Sequence, residues 1–140
     1  MRSRTAAPAL LAVSVLLATL GAGCKSPAPP SPVLATETFT GTLAPLATAF
    51  HPFTVKYAFS STDLSVIVNS LSPLAGITIG VGFGTISGTT CSLIITQPAA
   101  PIGQELFANG GAPAGNYCVQ IFDSGTLTDT VNYSITVKHY

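Results

Sequence analysis

The clearest alternation of apolar and polar residues lies near the C-terminus. In residues 131–138, valine, tyrosine, isoleucine and valine occupy the odd positions, and asparagine, serine, threonine and lysine occupy the even ones. In residues 116–122, Tyr117, Val119 and Ile121 repeat this pattern. A period of two predicts strands with one face in a core. The polar stretch between the runs contains glycine, so we expect the two runs to pair antiparallel and close an all-β domain.

Similar stretches precede these two runs. They predict strands at residues 37–43, 50–59, 63–71, 76–84, 90–96 and 104–108, with a loop at 97–101. No helical period follows the N-terminal segment. About eight short strands at this spacing indicate an all-β fold, a single antiparallel β-sandwich of jelly-roll-like type.

Several residues within these strands lead to finer expectations. In residues 50–59, Phe53, Val55, Tyr57 and Phe59 are expected to share a face, and Pro52 is expected at an edge or before pairing begins. In residues 63–71, the pattern places Leu64, Val66 and Val68 on one face, and Ile67 and Leu71 on the other. In residues 76–84, Gly80 and Gly82 predict a bulge, strong curvature or a close approach of two backbones.

The N-terminus has the organisation of a helical signal peptide at residues 1–23. Two arginines precede an apolar stretch at 9–20, and small residues follow it. The apolar stretch is short for a transmembrane helix, which favours an export signal. Residues 24–35 are rich in proline and predict an extended tether. The sandwich domain is expected at 36–140.

The residues before Cys24 resemble the lipobox of bacterial lipoproteins. The sequence reads Leu-Gly-Ala-Gly-Cys at 20–24, although Gly21 stands where that family prefers leucine. The resemblance implies that Cys24 is acylated and becomes the first residue of an exported protein held on membrane lipid. Lys25 then favours the outer membrane if the organism has two membranes. The alternative is an ordinary cleavage site followed by an unrelated cysteine.

The charge pattern excludes nucleic acid as a partner. Only 7% of residues are charged, and beyond the signal peptide three lysines stand against five carboxylates, a net charge of −2. No arginine follows residue 4. Such a domain lacks the basic surface that binds phosphate backbones.

Cys91 and Cys118 lie in two different predicted strands. In an exported protein, the two cysteines that remain after Cys24 most often form a disulfide. The alternatives are a metal site or a reactive thiol. Zinc would need two further ligands, and the chain has only His51 and His139. We predict the disulfide, with no metal site and no cofactor.

The residue inventory is typical of a protein that is not an enzyme. Both histidines are expected at strand ends, exposed or half packed, and no nucleophile-elbow motif is present. Asp63, Asp123 and Asp129 are candidates for a calcium site with backbone carbonyls. Their spacing matches no calcium loop, which favours the capping of turns.

Motifs along most of residues 37–140 resemble the bacterial pre-peptidase C-terminal domain. They are Glu-Thr-Phe-Thr-Gly-Thr-Leu at 37–43, Phe-Thr-Val at 53–55, Gly-Asn-Tyr-Cys-Val-Gln-Ile at 115–121 and Asn-Tyr-Ser-Ile-Thr-Val at 132–137. The resemblance implies a jelly-roll-like sandwich of the kind found as an accessory domain of secreted enzymes. This chain has no catalytic domain attached and few acidic residues, so calcium binding is not carried over.

Together these features predict a membrane-anchored lipoprotein with a non-catalytic β-sandwich that has a binding or structural role at the cell envelope. A small envelope hydrolase and an accessory subunit of an envelope or secretion complex are the alternatives. Besides the membrane lipid, the expected partner is a polysaccharide or an envelope protein. Exposed threonine and serine faces suggest polysaccharide bound through hydroxyl contacts.

Overall fold

Eight strands form from the alternating stretches of the chain. The computed structural model describes residues 28, 30–60, 62–73 and 76–140. Within them, Ser31–Tyr140 is one compact unit. The strands are β1 (Ala35–Leu43), β2 (Thr48–Val55), β3 (Ser65–Ser72), β4 (Ile79–Ser87), β5 (Thr90–Ala100), β6 (Glu105–Phe107), β7 (Gly115–Phe122) and β8 (Val131–His139).

The strands form two four-stranded antiparallel sheets. The order is β1-β8-β3-β6 in one, here called the front sheet, and β2-β7-β4-β5 in the other, the back sheet. Consecutive strands mostly alternate between the two sheets, which is the double-sheet arrangement of a jelly roll. The predicted all-β, jelly-roll-like sandwich is confirmed. Among the described residues, no helix has the length and hydropathy to cross a bilayer.

The core lies between the two sheets and follows the period-two pattern. The apolar residues of β8 at positions 131, 133, 135 and 137 are all buried, with those of β7 at 117, 119 and 121 opposite them. Each fully buried valine, leucine or isoleucine stabilises the fold by about 1.5–3 kcal/mol relative to an exposed position.

The expected pairing of the two C-terminal strands is wrong. β8 pairs with β1 and β3 in the front sheet, whereas β7 pairs with β2 and β4 in the back sheet. The connection between them therefore crosses from one sheet to the other. Local alternation identifies both strands and their inner faces, but it carries no information about which strands become neighbours.

The second predicted strand ends earlier than expected. β2 stops at Val55, and Tyr57 is 45% exposed instead of sharing the buried face. Phe59 is buried and makes an isolated bridge with Ala112. Pro52 lies inside β2, opposite Cys118, and β2 is an edge strand, where a residue without N–H is tolerated.

Two other strands depart from the expected pattern. The pairing of β3 with β8 shifts between Val68 and Ser70, so Asn69 is an extra residue and Leu71 returns to the core face. The expected placement of Leu71 on the face opposite to Val68 is therefore wrong. β5 continues to Ala100 and includes residues 97–100 of the stretch predicted as a loop, so that prediction is wrong for those four residues. Pro98 is tolerated there because β5 is the other edge of the back sheet.

The glycines of β4 allow β5 to fold closely over it. The pairing register shifts on either side of this region, and a Cβ on Gly82 would lie 2.6 Å from the Ile95 carbonyl oxygen. A Cβ on Gly84 would collide with the backbone of Ser92. The predicted bulge and close backbone approach are both present.

Candidate functional site

The outward face of the front sheet carries a regular array of hydroxyl and amide side chains. The four threonines of β1 are exposed at every second position, because the intervening residues point into the core. The cross-strand register aligns them with polar residues of β8 and β3. We call this array the hydroxyl face; it comprises Thr36, Thr38, Thr40, Thr42, Asn69, Ser70, Ser72, Asn132, Ser134 and Thr136.

Register orders the hydroxyl face into rungs that run across three strands. Each rung takes one residue from β1, one from β8 and one from β3, with strands about 4.8 Å apart. Two complete rungs contain only uncharged polar side chains. They are Thr42–Asn132–Ser72 and Thr40–Ser134–Ser70.

Hydrogen bonds between side chains hold the middle of the hydroxyl face. The hydroxyls of Thr38 and Thr136 lie 3.2 Å apart. Asn69 donates to the Thr136 hydroxyl at 2.8 Å and to the Ser134 hydroxyl at 3.3 Å. The bulge at Asn69 places its amide across β8, so the feature that returns Leu71 to the core also orders this surface.

A shallow groove of about 380 Å³ lies over the two uncharged rungs. Among the described residues, the side chains of Thr40, Thr42, Ser70, Ser72 and Asn132 that line it make no hydrogen bond to protein. Serine and threonine hydroxyls rotate, and each both donates and accepts. The strands therefore fix the positions of these uncharged side chains in the groove, while each hydroxyl can rotate to donate or accept a hydrogen bond.

The opposite end of the same face is charged and partly apolar. Lys138 Nζ lies 3.4 Å from Glu105 Oε1, and Ser65 donates to the same oxygen at 2.6 Å. Phe107 pairs with Ser65 in the register of β6 and is 39% exposed. One half of the face therefore carries uncharged polar side chains, and the other half carries the Lys138–Glu105 ion pair.

The two histidines lie near the edge where β1 faces β2. His51 stacks on Phe39 with ring centroids 4.8 Å apart, and its Nε2 shares a hydrogen bond of 2.8 Å with the Tyr133 hydroxyl. Burial lowers the pKa of His51 and raises that of Tyr133. The rings of His51 and Tyr133 belong to different sheets, so their hydrogen bond helps to join the two sheets.

The expectation that His139 is exposed or half packed is wrong. Its side chain is only 3% exposed, and its Nε2 lies 2.8 Å from Glu37 Oε1. Its ring centroid lies 5.1 Å from that of Phe53. The signal was present in the sequence, because position 139 continues the buried odd-numbered series of β8. Neither histidine contacts a serine hydroxyl among the described residues.

Two of the three candidate aspartates, Asp123 and Asp63, cap turns, as the sequence predicts. Asp123 accepts hydrogen bonds from the backbone N–H of Leu46 and from those of residues 125, 126 and 127. Led by the bond from Leu46, these bonds lower the pKa of Asp123 to about 2 against the opposing effect of burial. Asp63 accepts from the hydroxyl and N–H of Ser60, and both bonds lower its pKa. In the part of the chain that the structure describes, no three potential metal ligands cluster.

The predicted disulfide between Cys91 and Cys118 is present. It joins β5 to β7, which are separated by β4 in the back sheet. In a flat sheet, Cα atoms on two strands that are separated by a third strand would lie roughly 10 Å apart. The Cα atoms of Cys91 and Cys118 lie only 5.8 Å apart. The folding of β5 over the glycines of β4 explains the short distance. Cys24, the predicted lipidation site, lies outside the described residues.

Comparison with known proteins adds information on the fold alone. No family model matches the chain, and no curated protein matches it. Among solved structures, the chain is similar to the Yersinia pseudotuberculosis-derived mitogen, with a TM-score of 0.53 and 15% identity. The match covers 77% of this chain and 88% of the mitogen chain. At this identity the likeness is one of architecture.

Proposed function

We propose that the chain is an exported lipoprotein, anchored at the bacterial cell envelope through acylated Cys24, whose non-catalytic β-sandwich binds a neutral polysaccharide on the hydroxyl face. In an organism with two membranes, the anchor lies in the outer membrane. The single observation that carries the binding role is the groove over the uncharged rungs, where five polar side chains have no partner in the described protein.

The chemistry of the groove favours a neutral sugar chain over other partners. A polysaccharide offers many hydroxyls, each able to donate and accept, and the rungs offer the complementary groups at a regular spacing. An anionic partner would gain no counter-charge, because none of the described residues that line the groove is positively charged. An apolar partner would leave the rung hydroxyls without water or any other hydrogen-bond partner, which costs free energy.

The anchoring part of the proposal is supported by the N-terminal sequence and by the disulfide. Basic residues, an apolar stretch and small residues before Cys24 form the lipobox-like segment. The Cys91–Cys118 disulfide is of the kind that persists in oxidising compartments outside the cytoplasm. The pre-peptidase C-terminal resemblance adds the precedent of accessory sandwich domains in exported proteins.

Affinity electrophoresis through gels that contain neutral bacterial polysaccharides tests the binding role. We expect retardation of the wild-type chain, and each of Thr40→Val and Ser70→Ala should weaken binding about two- to tenfold through a lost hydrogen bond. Thr48→Val, at an exposed position of β2 in the back sheet, is the matched control. Unchanged retardation in the hydroxyl-face variants would refute the assignment of the site.

Metabolic labelling with palmitate tests the anchor separately. The wild-type chain should incorporate label and sediment with membranes, whereas Cys24→Ser should lose both properties. Binding to polysaccharide should persist in that variant, since residues 31–140 are unchanged. Label in the Cys24→Ser protein, or none in the wild type, would show that the anchor is wrongly assigned.

A further inference from the structure

A second concave site, distinct from the hydroxyl face, lies between the sheets near the middle of β5. It is a cavity of about 280 Å³. Phe83 of β4, Ile95 of β5 and Tyr117 of β7 form one side. Phe59 and the segment 108–112, which connects β6 to β7, form the other. We call this the end cavity.

The end cavity exists because two local features keep side chains out of it. The register of β4 with β5 shifts between Phe83 and Gly84, so Ile94 is an extra residue of β5, and its side chain is 72% exposed. Across the cavity, the connecting segment has glycines at 110 and 111, which contribute no side chain. Gly110 has a φ of 138°, a conformation that side-chain-bearing residues rarely adopt.

The far wall of the end cavity is fixed rather than loose. Phe59 and Ala112 exchange two backbone hydrogen bonds, of 3.0 and 3.1 Å. The N–H of Ala108 donates to the Leu64 carbonyl oxygen at 3.0 Å. A cavity bounded by paired backbone is preformed, so a ligand would not have to order its own site.

The lining of the end cavity is apolar and uncharged. Phe59 and Tyr117 meet edge to face with centroids 5.7 Å apart. The Tyr117 hydroxyl donates to the Pro113 carbonyl oxygen at 2.7 Å, so the polar end of this ring is already satisfied. Among the described lining residues, only Asn109 has a side chain with a free polar group, and that side chain is exposed. At the opening, Ile94 is 72% exposed.

We propose that the end cavity binds a small, uncharged, apolar molecule, such as a bicyclic aromatic compound or a short acyl chain. Water is a poor occupant, since it needs two or more polar partners and the lining supplies few. A charged ligand would lose its hydration without gaining a counter-charge. A cavity of about 150 Å³ with an aliphatic and aromatic lining holds benzene, so 280 Å³ accommodates a ligand of naphthalene size.

Fluorescence titration of the full chain at pH 7 with 1-naphthylamine, an uncharged compound of about naphthalene size, tests this site. Ala112→Leu should occupy part of the cavity with a larger side chain and weaken binding about tenfold. Ala114→Leu makes the same change at an exposed position outside the lining and should bind like the wild type. Any binding of the probe to the apolar N-terminal segment is equal in the two variants, so their difference isolates the end cavity.

The comparison requires that Ala112→Leu keeps its fold, which its thermal unfolding reports. If that variant is unfolded, Ile94→Gln at the exposed rim decides instead and should weaken binding about threefold. Methyl NMR of the wild type should show probe-dependent shifts at Ala108 and Ala112. The proposal would be overturned if a folded Ala112→Leu protein bound the probe as tightly as the wild type does. It would also be overturned if Ile94→Gln did so where Ala112→Leu is unfolded, or if the wild type showed no such shifts.

Discussion

The Nε2 atom of His51 and the hydroxyl of Tyr133 lie 2.8 Å apart across the interface between the two sheets. His51 belongs to β2 of the back sheet, and Tyr133 to β8 of the front sheet. A Cβ on Gly41 would lie only 2.6 Å from the same hydroxyl, so the ring of Tyr133 fills the space above that glycine. This hydrogen bond links the two sheets through polar groups, and it depends on an ionisable group.

The stability of the domain should therefore depend on pH through His51. Burial lowers the pKa of His51 below its usual 6.5, so the unfolded chain takes up a proton at a higher pH than the folded one. The contribution of the neutral ring is fully present above pH 6.5 and is lost as pH falls through the folded pKa. We expect a lower midpoint of thermal unfolding at pH 5 than at pH 7.5.

The variant His51→Gln isolates this effect. Glutamine retains hydrogen-bonding groups near Tyr133 but does not titrate. The other ionisable groups are common to both proteins, so the difference between their pH profiles reports His51. Parallel profiles between pH 7.5 and 5 would contradict the prediction.

Asp123 should provide acid-sensitive stability in a lower pH range. Its carboxylate accepts four backbone N–H bonds, and its pKa is lowered to about 2. A depressed carboxyl pKa gives stability that is present above the unfolded value near 3.8 and is lost as pH falls through the folded value. Asp123→Asn should unfold at a lower temperature than the wild type at pH 6, and the gap should narrow towards pH 2.

Asp129 supplies the control, because it lies in the same connection. Asp129→Asn should leave the unfolding temperature close to that of the wild type at both pH values. If the two variants behave alike, the four-fold capping by Asp123 does not stabilise the connection between β7 and β8.

Much of this fold was predictable because inward positions repeat every second residue. The odd positions of β8 identify its core face, and the alternate threonines of β1 identify its outer face. Leu71 was misplaced because a bulge shifts the period by one residue, and nothing around Asn69 marks the bulge in the sequence. His139 continues the pattern and is buried. The prediction that it is exposed or half packed is wrong because it relied on the polar residue type and the position near the C-terminus instead of the alternation.

The candidate sites were less predictable, since both depend on which strands are neighbours. The rung Thr40–Ser134–Ser70 joins residues far apart in sequence, and it forms only because β8 lies between β1 and β3. The end cavity likewise results from a register shift opposite Ile94. Non-local pairing of this kind is a property of topology, which a local pattern does not specify.

Leu46 should be a site where substitution stabilises the protein. It has a φ of 58°, which costs a residue with a Cβ about 1–2 kcal/mol, and its side chain is 79% exposed. Asparagine tolerates this conformation better. Leu46→Asn should raise the free energy of unfolding by about 1 kcal/mol in urea titrations. Ile102→Asn replaces another exposed apolar residue, without positive φ, and should produce no such gain.

Loss of the disulfide should destabilise the domain strongly. Cys91 and Cys118 are 27 residues apart, so their bond reduces the entropy of the unfolded chain by an amount worth about 3.5 kcal/mol. We expect the double variant Cys91→Ala, Cys118→Ala to lose about that much free energy of unfolding. Alkylation followed by intact mass measurement should modify neither cysteine in the folded wild type, and modification of both would contradict the pairing.

Gly84 should be among the least replaceable residues of the back sheet. A Cβ at this position would collide with the backbone of Ser92, which cannot rotate away as a side chain can. Gly84→Ala should therefore push β5 away from β4, increase the distance between Cys91 and Cys118, and lower the free energy of unfolding by about 2 kcal/mol or more.

Gly115→Ala is the matched control, because its Cβ would meet only the Tyr117 ring at 3.7 Å. It should change stability by less than about 0.5 kcal/mol. Urea unfolding of both variants, with thiol alkylation to follow the disulfide, makes the comparison. Equal stability of the two would show that β5 does not need to approach β4 so closely for the cysteines to pair.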